Sequence, residues 1–460
     1  KFINYLKSHK QIIYVAKNSG KYDFTIGICA KDYMDFDEII RDIRQKFSDV
    51  IKDIDKENRF QAEGIEFDST KLAEIAEEAP VIKLVNMIIM QAVKDKASDI
   101  HIEPEETRLA VRFRIDGILH EMFSPPKHLE PALMSRIKVL SKMDIAEKRK
   151  PQDGRFNMKA LDRDIDLRVS AFPTIYGENI VIRILDRGSI LLGLDKIGFS
   201  GEIQKEFERL IKYPHGIILV TGPTGSGKTT TLYSALSTID SEEQNVITIE
   251  DPVEYHLGRI RQSQINPQAG LTFATGLRSI LRQDPDIIMV GEIRDKETAE
   301  ISVQAALTGH LVFSTLHTND ASGALSRLID MGIEPFLISS SIIGILAQRL
   351  VRKICDKCKE EYTPTGDILK ALGLSGKNGI FKGKGCDVCK NTGYKGRMGI
   401  FELLIVNDKI RKLIADKASS DIIKKTAIEI GMKTLRDDGL DKVLKGITTP
   451  EEVIKATQEE

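Results

Sequence analysis

Apolar residues recur with two different periods along this chain. The residues that follow Pro80 are apolar at helical spacing, which predicts an amphipathic helix at the start of a compact α+β region that extends to residue 190. From residue 199 to 352, apolar strands alternate with helical segments. This alternation predicts a mainly parallel sheet, and residues 407–460 then show mostly helical spacing.

The same pattern sets the domain boundaries that we predict. In chain order they are a small α+β module (1–60), a charged linker (61–79), an N-terminal α+β domain (80–190), a core α/β domain (191–352), a cysteine-bearing element (353–398) and a C-terminal helical region (399–460). The segment 188–198 is expected to link the two larger domains. The first module carries no motif that assigns its role, and we interpret it as a docking module.

Composition narrows the class of protein. With 41% hydrophobic and 29% charged residues among 460, the chain is typical of a globular protein. A formal net charge of −1 gives no reason to expect nucleic acid as a partner. The sequence has no apolar run near the ~18 residues of a membrane span and no secretory signal pattern. We therefore expect a cytoplasmic protein that reaches a membrane only through partners, and a start at Lys1 rather than Met leaves an upstream segment open.

The strongest chemical signal is a glycine-rich loop between an apolar strand and a helix. It fits the spacing G-x-x-x-x-G-K-[ST] and comprises Gly222, Pro223, Thr224, Gly225, Ser226, Gly227, Lys228, Thr229 and Thr230. Glycines let such a loop turn its N–H groups toward a polyphosphate, and the following helix adds its positive end. Lys228 is expected to reach the β- and γ-phosphates of ATP, and Thr229 to hold Mg²⁺. The alternative is a glycine-rich turn without a ligand.

Acids and histidines follow three other predicted strands. Glu292 ends the apolar run 287–290 and is expected to orient the attacking water. The acids of the run 247–254, which are Glu250, Asp251 and Glu254, are expected near Mg²⁺. His310 and His317 bracket a further strand, and His317 is expected to sense the γ-phosphate or its water. The alternatives are solvated acidic turns and structural histidines.

Four of the five cysteines form two C-x-x-C pairs, Cys355 with Cys358 and Cys386 with Cys389. Four thiolates suit a closed tetrahedral Zn²⁺ site, which would order a glycine-rich segment that has little apolar content. The alternative is a redox pair. Zinc with a structural role is therefore the favoured interpretation.

At these motifs the chain resembles the secretion ATPase superfamily, in its type II secretion and type IV pilus assembly branch. The runs GPTGSGKTTTLYSAL, ITIEDPVEY, LRQDPDIIMVGEIRD and TGHLVFSTLHTND look like the Walker A, Asp, Walker B and His boxes of that family. The resemblance covers residues 80–460 and is closer to the secretion branch. It implies a RecA-like P-loop core, preceded by a PAS-like α+β domain and followed by a zinc element. Residues 1–60 do not resemble the usual N-terminal domain of the family.

The resemblance also implies roles for residues by box. Glu292 would be the catalytic glutamate, Lys228 and Thr229 the phosphate and Mg²⁺ residues, and Glu250, Asp251, Glu254, His310 and His317 the residues of the Asp and His boxes. Arginines around the γ-phosphate would be Arg168 and Arg183 from the N-terminal domain, with Arg278, Arg282 and Arg294 from the core. The alternatives for the arginines are salt bridges on strands and a solvated helix face.

The function implied by the resemblance is ATP hydrolysis that powers assembly of a pseudopilus or pilus. The family forms hexameric rings, so we expect a homo-hexamer that acts on an inner-membrane platform protein together with membrane-anchored assembly proteins. Type IV pilus extension is the nearest alternative. A nucleic-acid translocase and a non-catalytic nucleotide switch are more distant ones, because no basic stripe is visible and Glu292 and His317 are both present.

Overall fold

The computed structural model describes residues 12–17, 24–28, 79–161, 163–186, 193–239, 241–364, 366, 368 and 379–458. The chain divides into two compact units, residues 1–67 and 68–460. In the first unit, strands β1 (Ile12–Lys17) and β2 (Phe24–Ile28) pair antiparallel. The rest of the predicted module 1–60, nearly all of the predicted linker 61–79 and residues 188–192 of the segment 188–198 lie outside the described residues.

The second unit begins with an antiparallel six-stranded sheet. Its elements are α1 (Ala79–Lys94), β3 (Asp99–Pro104), β4 (Leu109–Ile115), β5 (Ile118–Phe123), α2 (Glu130–Leu140), β6 (Gln152–Ala160), β7 (Arg163–Thr174) and β8 (Gly177–Asp186). The strand order is β5-β4-β3-β8-β7-β6. Alternate strand residues such as Ile100, Ile102 and Leu167 pack in one core with the apolar face of α1, as expected when one sheet face is covered by helices.

A seven-stranded sheet forms the core of this unit. Its strands are β9 (Gly216–Thr221), β10 (Val246–Glu250), β11 (Arg261–Gln264), β12 (Ile287–Val290), β13 (Leu311–Leu316), β14 (Ile342–Ile354) and β17 (Tyr394–Ile405). Their order is β11-β10-β12-β13-β9-β14-β17. The first six run parallel and β17 pairs antiparallel with β14, which confirms the predicted α/β fold with a mainly parallel sheet.

Helices cover both faces of this sheet. They are α3 (Gly201–Ile211), α4 (Lys228–Leu236), α5 (Phe273–Ile280), α6 (Lys296–Leu307), α7 (Ala321–Asp330), α8 (Pro335–Ser341), α9 (Asp408–Ala415), α10 (Ser420–Glu429), α11 (Leu435–Leu444) and α12 (Pro450–Thr457). In β9, Ile217 and Leu219 enter one apolar cluster while Ile218 and Val220 enter the other. A strand buried on both faces carries a continuous apolar run, as this one does. Among the described helices, none combines the length and apolarity of a membrane span.

The strand β17 corrects two predicted boundaries. Residues 399–405, placed by the sequence in a helical region, continue this strand, and helices begin only at Asp408. The core sheet therefore extends beyond residue 352, and a small hairpin of β15 (Lys359–Glu361) and β16 (Phe381–Gly383) lies between its last two strands in the chain. The run 400–404 is continuously apolar, and such short runs do not distinguish strand from helix by period.

A buried ion pair fastens α11 to β17. The Lys442 Nζ atom lies 2.5 Å from Asp438 Oδ2 and donates to the carbonyl of Gly399 at 2.8 Å. The same carboxylate accepts from the amide of Phe401 at 2.9 Å. Both side chains are almost fully buried, so each charge depends on the other for its compensation.

We expect Lys442→Met to lower the free energy of unfolding by about 3 kcal/mol, because it leaves the Asp438 charge buried without its partner. Adding Asp438→Asn should recover part of that loss, since the amide keeps an acceptor for Phe401 without a charge. Chemical denaturation of both variants measures the difference. Equal stability of Lys442→Met and the unsubstituted protein would contradict the role of the pair.

Candidate active site

The parallel strands deliver the sequence motifs to one edge of the core sheet. Strand β13 pairs with β9 from Leu311 opposite Gly216 to Leu316 opposite Thr221. Strand β12 pairs with β13 and ends with Val290 opposite Ser314. The residues that follow these strands therefore meet at the carboxyl edge, where open α/β sheets bind ligands.

The glycine-rich loop after β9 has the backbone that its glycines allow. Gly222, Gly225 and Gly227 have φ angles of 149°, 80° and 90°, a region that favours glycine. A side chain at Gly222 would place its Cβ 2.5 Å from the carbonyl oxygen of Gln348 in β14. The loop is thus held close to the neighbouring strand and leads into α4, whose first turn presents N–H groups.

Lys228, the first residue of α4, folds back on this loop. Its Nζ donates to the carbonyls of Gly222 at 2.8 Å and Pro223 at 3.1 Å. Burial lowers the pKa of the Lys228 ammonium to about 8, and the nearby Glu292 carboxylate opposes this shift. The ammonium and the carboxylate therefore share one partly buried environment.

Glu292 lies two residues after β12 and has two basic neighbours. Its Oε1 atom accepts from Arg294 at 2.5 Å, and its Oε2 atom is 3.6 Å from Nε2 of His317. Burial and the Lys228 charge together lower the pKa of His317 below its ordinary value, so the neutral imidazole dominates at pH 7. Arg294 also lies 3.9 Å from Asp251. The structure thus joins the Walker B, His and Asp boxes around one carboxylate.

Glu250, which the sequence predicts near Mg²⁺, has a carboxylate that the structure surrounds with protein donors. Its side chain is buried and accepts from Tyr233, from Thr248 at 2.5 Å and from Gln262 at 3.1 Å. Burial is the main cause that raises the pKa of Glu250. Both carboxylate oxygens have protein donors, so this acid belongs to the core beneath the loop.

Two arginines of the N-terminal sheet face the Asp box. Arg168 lies 3.2 Å from Glu254 and donates to the carbonyl of Val253 at 3.0 Å. Arg183 is opposite Arg168 in the register of β7 and β8 and pairs with Asp99 at 3.1 Å. Both arginines line a cavity of about 950 Å³ that also contacts Asp251 and Glu254. The structure thus brings both arginines to a cavity that the Asp box also lines, and their contact with the γ-phosphate stays a prediction.

His310 does not belong to this site. It precedes β13, whereas the glycine-rich loop follows β9, and the two strands are parallel and in register. Six residues of strand separate the two edges by roughly 20 Å. The His310 Nδ1 atom instead lies 2.8 Å from the carbonyl of Ala305 at the end of α6. Within one chain, the structure therefore does not bring His310 to the glycine-rich loop, although the resemblance places it in the His box and implies that it contacts ATP.

Arg278 and Arg282 also lie apart from the loop. Arg278 pairs with Glu297 at 2.7 Å. Both arginines line a separate surface cavity of about 270 Å³, whose other lining residues are Leu281, Glu297, Glu300, Ile301 and Gln304. These residues come from α5, α6 and the turn after α5. The structure therefore does not bring Arg278 and Arg282 to the glycine-rich loop of the same chain, and their place around the γ-phosphate stays a prediction.

Three residues at the site were not singled out in the sequence. Tyr233 reaches from α4 to Glu250. Gln348 is buried in β14 and accepts from Thr231 at 2.7 Å. Arg349 donates to the carbonyl of Asn319 at 2.8 Å, next to the His box. The one available signal was the polar pair 348–349 inside the apolar strand β14; Tyr233 lies in an ordinary helical run.

The four cysteines of the predicted zinc element converge. The sulfur atoms of Cys355 and Cys386 are 3.9 Å apart, those of Cys358 and Cys389 are 3.8 Å apart, and those of Cys386 and Cys389 are 3.7 Å apart. All four lie within 4.8 Å of one another. Backbone amides of Cys386 and Gly393 donate to the sulfur of Cys389 at 3.2 and 3.3 Å, which favours a thiolate.

A family model with the description "Type II/IV secretion system protein" matches residues 74–455. The chain belongs to this family. The match spans the N-terminal sheet, the core sheet, the cysteine cluster and the C-terminal helices, which is most of the part that the structure describes.

Curated relatives with about half of their residues identical identify the branch. The type II secretion system protein E of Dickeya dadantii is 53% identical over 395 residues, 85% of this chain and 79% of the relative. The type II secretion system ATPase E of Vibrio cholerae is 52% identical over 390 residues, 84% and 77% of the two chains. The chain is therefore a member of the type II secretion branch, as the motifs indicated.

Solved structures support the fold. The pilus retraction motor PilT with bound ADP has a TM-score of 0.57 at 28% identity, covering 80% of this chain and 95% of PilT. The ATPase DotB of Legionella pneumophila has a TM-score of 0.63 at 21% identity, covering 82% and 96%. The second likeness concerns the fold alone, and the two together confirm the predicted ATPase core.

The two histidines offer a matched test of the geometry. We expect His317→Ala to lower ATP turnover at least tenfold, because its imidazole contacts the Glu292 carboxylate. His310→Ala should change the ATP dissociation constant and the turnover less than twofold, since it lies at the opposite edge. Steady-state hydrolysis and nucleotide titration measure both quantities. A loss of ATP affinity in His310→Ala would contradict the assignment of the two edges.

Proposed function

We propose that the chain hydrolyses ATP to ADP and phosphate and thereby powers pseudopilus assembly in type II secretion. The observation that carries the proposal is the contact of Glu292 with Arg294 and His317 at the sheet edge that also bears Lys228. Membership of the family and the names of the relatives give the same reaction class. Type IV pilus extension is the nearest alternative, since PilT, a pilus motor, shares the fold.

Each residue around the loop has a role in the proposed reaction. Glu292 orients the water that attacks the γ-phosphate, and Arg294 and His317 hold the carboxylate in place. Lys228 offsets charge that develops on the phosphoryl oxygens. The backbone from Gly222 to Gly227 binds the polyphosphate through its N–H groups. A low-dielectric surrounding makes these charges act more strongly than they would in water.

The sheet edge suits a hard cation. Thr229 is exposed in the first turn of α4. Asp251 and Glu254 follow β10 and Glu292 follows β12 at the same edge, and their carboxylate oxygens are the ligands that Mg²⁺ prefers. When bound, Mg²⁺ neutralises phosphate charge. Glu250 is left out of this set because its oxygens are occupied in the core.

The proposed motor step couples the two domains. Arg168 contacts the Asp box from the N-terminal sheet, and Arg183 lies beside it. When a guanidinium comes from another domain, the stabilisation that it gives to the phosphate charge depends on the position of that domain. In a homo-hexamer, such closures would act in turn on an inner-membrane platform protein and on membrane-anchored assembly proteins. This role places the chain in the cytoplasm, bound peripherally to the inner membrane through those partners.

The cysteine cluster is proposed to hold structural Zn²⁺. In a tetrahedral site with Zn–S bonds of about 2.3 Å, neighbouring sulfur atoms lie about 3.8 Å apart. The observed separations of 3.7 to 3.9 Å fit that edge length. The zinc would link β14, through Cys355, to the turn that precedes β17, through Cys389.

We expect one zinc ion per chain, and Cys355→Ser to lose it and to lower the thermal unfolding midpoint by several degrees. Metal analysis by mass spectrometry and thermal unfolding measure the two effects. Cys29→Ser, which leaves the four clustered cysteines intact, is the control and should retain the zinc. A zinc-free protein with unchanged stability would contradict the assignment.

Glu292→Gln tests the proposed reaction. The amide keeps the size and polarity of the side chain but cannot accept a proton, so we expect turnover to fall at least 100-fold with ATP affinity within about threefold. Glu300→Gln, an exposed change on α6, is the matched control and should retain full activity. Hydrolysis assays and nucleotide titration separate the two quantities. Turnover at the normal rate in Glu292→Gln would contradict the mechanism.

A further inference from the structure

Tyr233 is a buried polar residue that the mechanism does not use. It lies five residues after Lys228 on the same helix, α4, and its side chain is fully buried. The ring packs edge to face on Tyr255, with the ring centroids 4.5 Å apart. A phenylalanine would make the same apolar contacts, so the hydroxyl group needs a separate explanation.

The hydroxyl contacts two residues of the Asp box. It donates to the Glu250 carboxylate, and it lies 3.4 Å from the backbone amide of Glu254, which donates to it. Gln262 completes the group, donating to both the hydroxyl at 3.3 Å and Glu250 at 3.1 Å. A buried hydroxyl and carboxylate are tolerated only when paired. Their pairing fixes the Asp box relative to α4.

The N-terminal domain contacts the same segment from the other side. Arg168 donates to the carbonyl of Val253 and lies 3.2 Å from the Glu254 carboxylate. The amide of Glu254 contacts Tyr233, and its side chain contacts Arg168. One short segment, residues 250–255, therefore contacts both α4, the helix that follows the phosphate loop, and the N-terminal domain.

We propose that Tyr233 is a positioning residue. Its hydroxyl couples the contact between Arg168 and the Asp box to the position of α4, and thereby to Lys228. The inference rests on the proposed ATPase function and adds a regulatory contact between domain position and the phosphate loop. A displacement of Arg168 shifts segment 250–255, and the Tyr233 hydroxyl conveys that shift to α4. Without the hydroxyl, the loop still binds nucleotide but no longer responds to the domain.

A double-mutant cycle tests this relay. Tyr233→Phe should lower kcat about tenfold with KM for ATP within twofold, because the N–H groups of the loop remain while the alignment is lost. Arg168→Met should also lower kcat. The double variant should lie within twofold of the poorer single variant, since both changes break one chain of contacts. Tyr213→Phe, on an exposed tyrosine, is the matched control and should behave as the unsubstituted protein.

Three results would overturn the relay. They are a normal kcat in Tyr233→Phe, a loss confined to KM, and a double variant whose loss equals the product of the single losses. Each assumes normal turnover of the unsubstituted protein; failure of that turnover, or normal activity of Glu292→Gln, would instead contradict the proposed function.

If Tyr233→Phe does not fold, amide hydrogen exchange tests the coupling in the unsubstituted protein and in Arg168→Met. The Glu254 amide, which donates to Tyr233, should exchange at least threefold more slowly when ADP is bound. In Arg168→Met, this slowing should be reduced at least twofold. Equal exchange with and without ADP in the unsubstituted protein would overturn the proposal.

Discussion

The parallel register of β9, β12 and β13 is the constraint on which the site depends. Because these strands start together and run in the same direction, whatever follows them in sequence is brought to one edge. Lys228, Glu292 and His317 are separated by up to 89 positions along the chain and converge for this reason alone. Buried apolar residues on both faces hold the register, since a slip would disrupt the close packing of both clusters.

Within this sheet, the described contacts divide the acids into two groups by their neighbours. Glu292 remains near solvent and is held by Arg294 and His317, so a carboxylate charge is available where chemistry is proposed. Glu250 lies one layer deeper and is surrounded by donors. A charge at that depth is costly unless it is fully hydrogen-bonded, which explains why both Glu250 oxygens accept from protein donors.

Local motifs were readable because each needs only a few consecutive residues. The loop from Gly222 to Thr229, the strand before Glu292 and the cysteine pairs all lie where the sequence predicts. The hydrogen bonds that Glu250 accepts in the core come partly from Tyr233 and Gln262, and no local sequence pattern connects these residues with Glu250. His310 was assigned by its motif although it precedes its strand; strand direction alone excludes it from the loop edge. The strand β17 forms by pairing with β14, which lies some forty residues earlier in the chain. Local periodicity does not predict such a long-range pairing.

The contacts between the N-terminal domain and the core are compatible with the domain closure that we propose. At the site, the contacts that the structure describes are polar, with Arg168 on Val253 and Glu254. At the cysteine element, Lys390 pairs with Asp95 at 2.6 Å, and the amide of Gly396 donates to Asp116 at 2.7 Å. Polar contacts of this kind exchange readily with water, unlike the apolar clusters inside each domain. In the proposed motor step, each domain would therefore move as a body. The contacts at the cysteine element would be kept while those of Arg168 change.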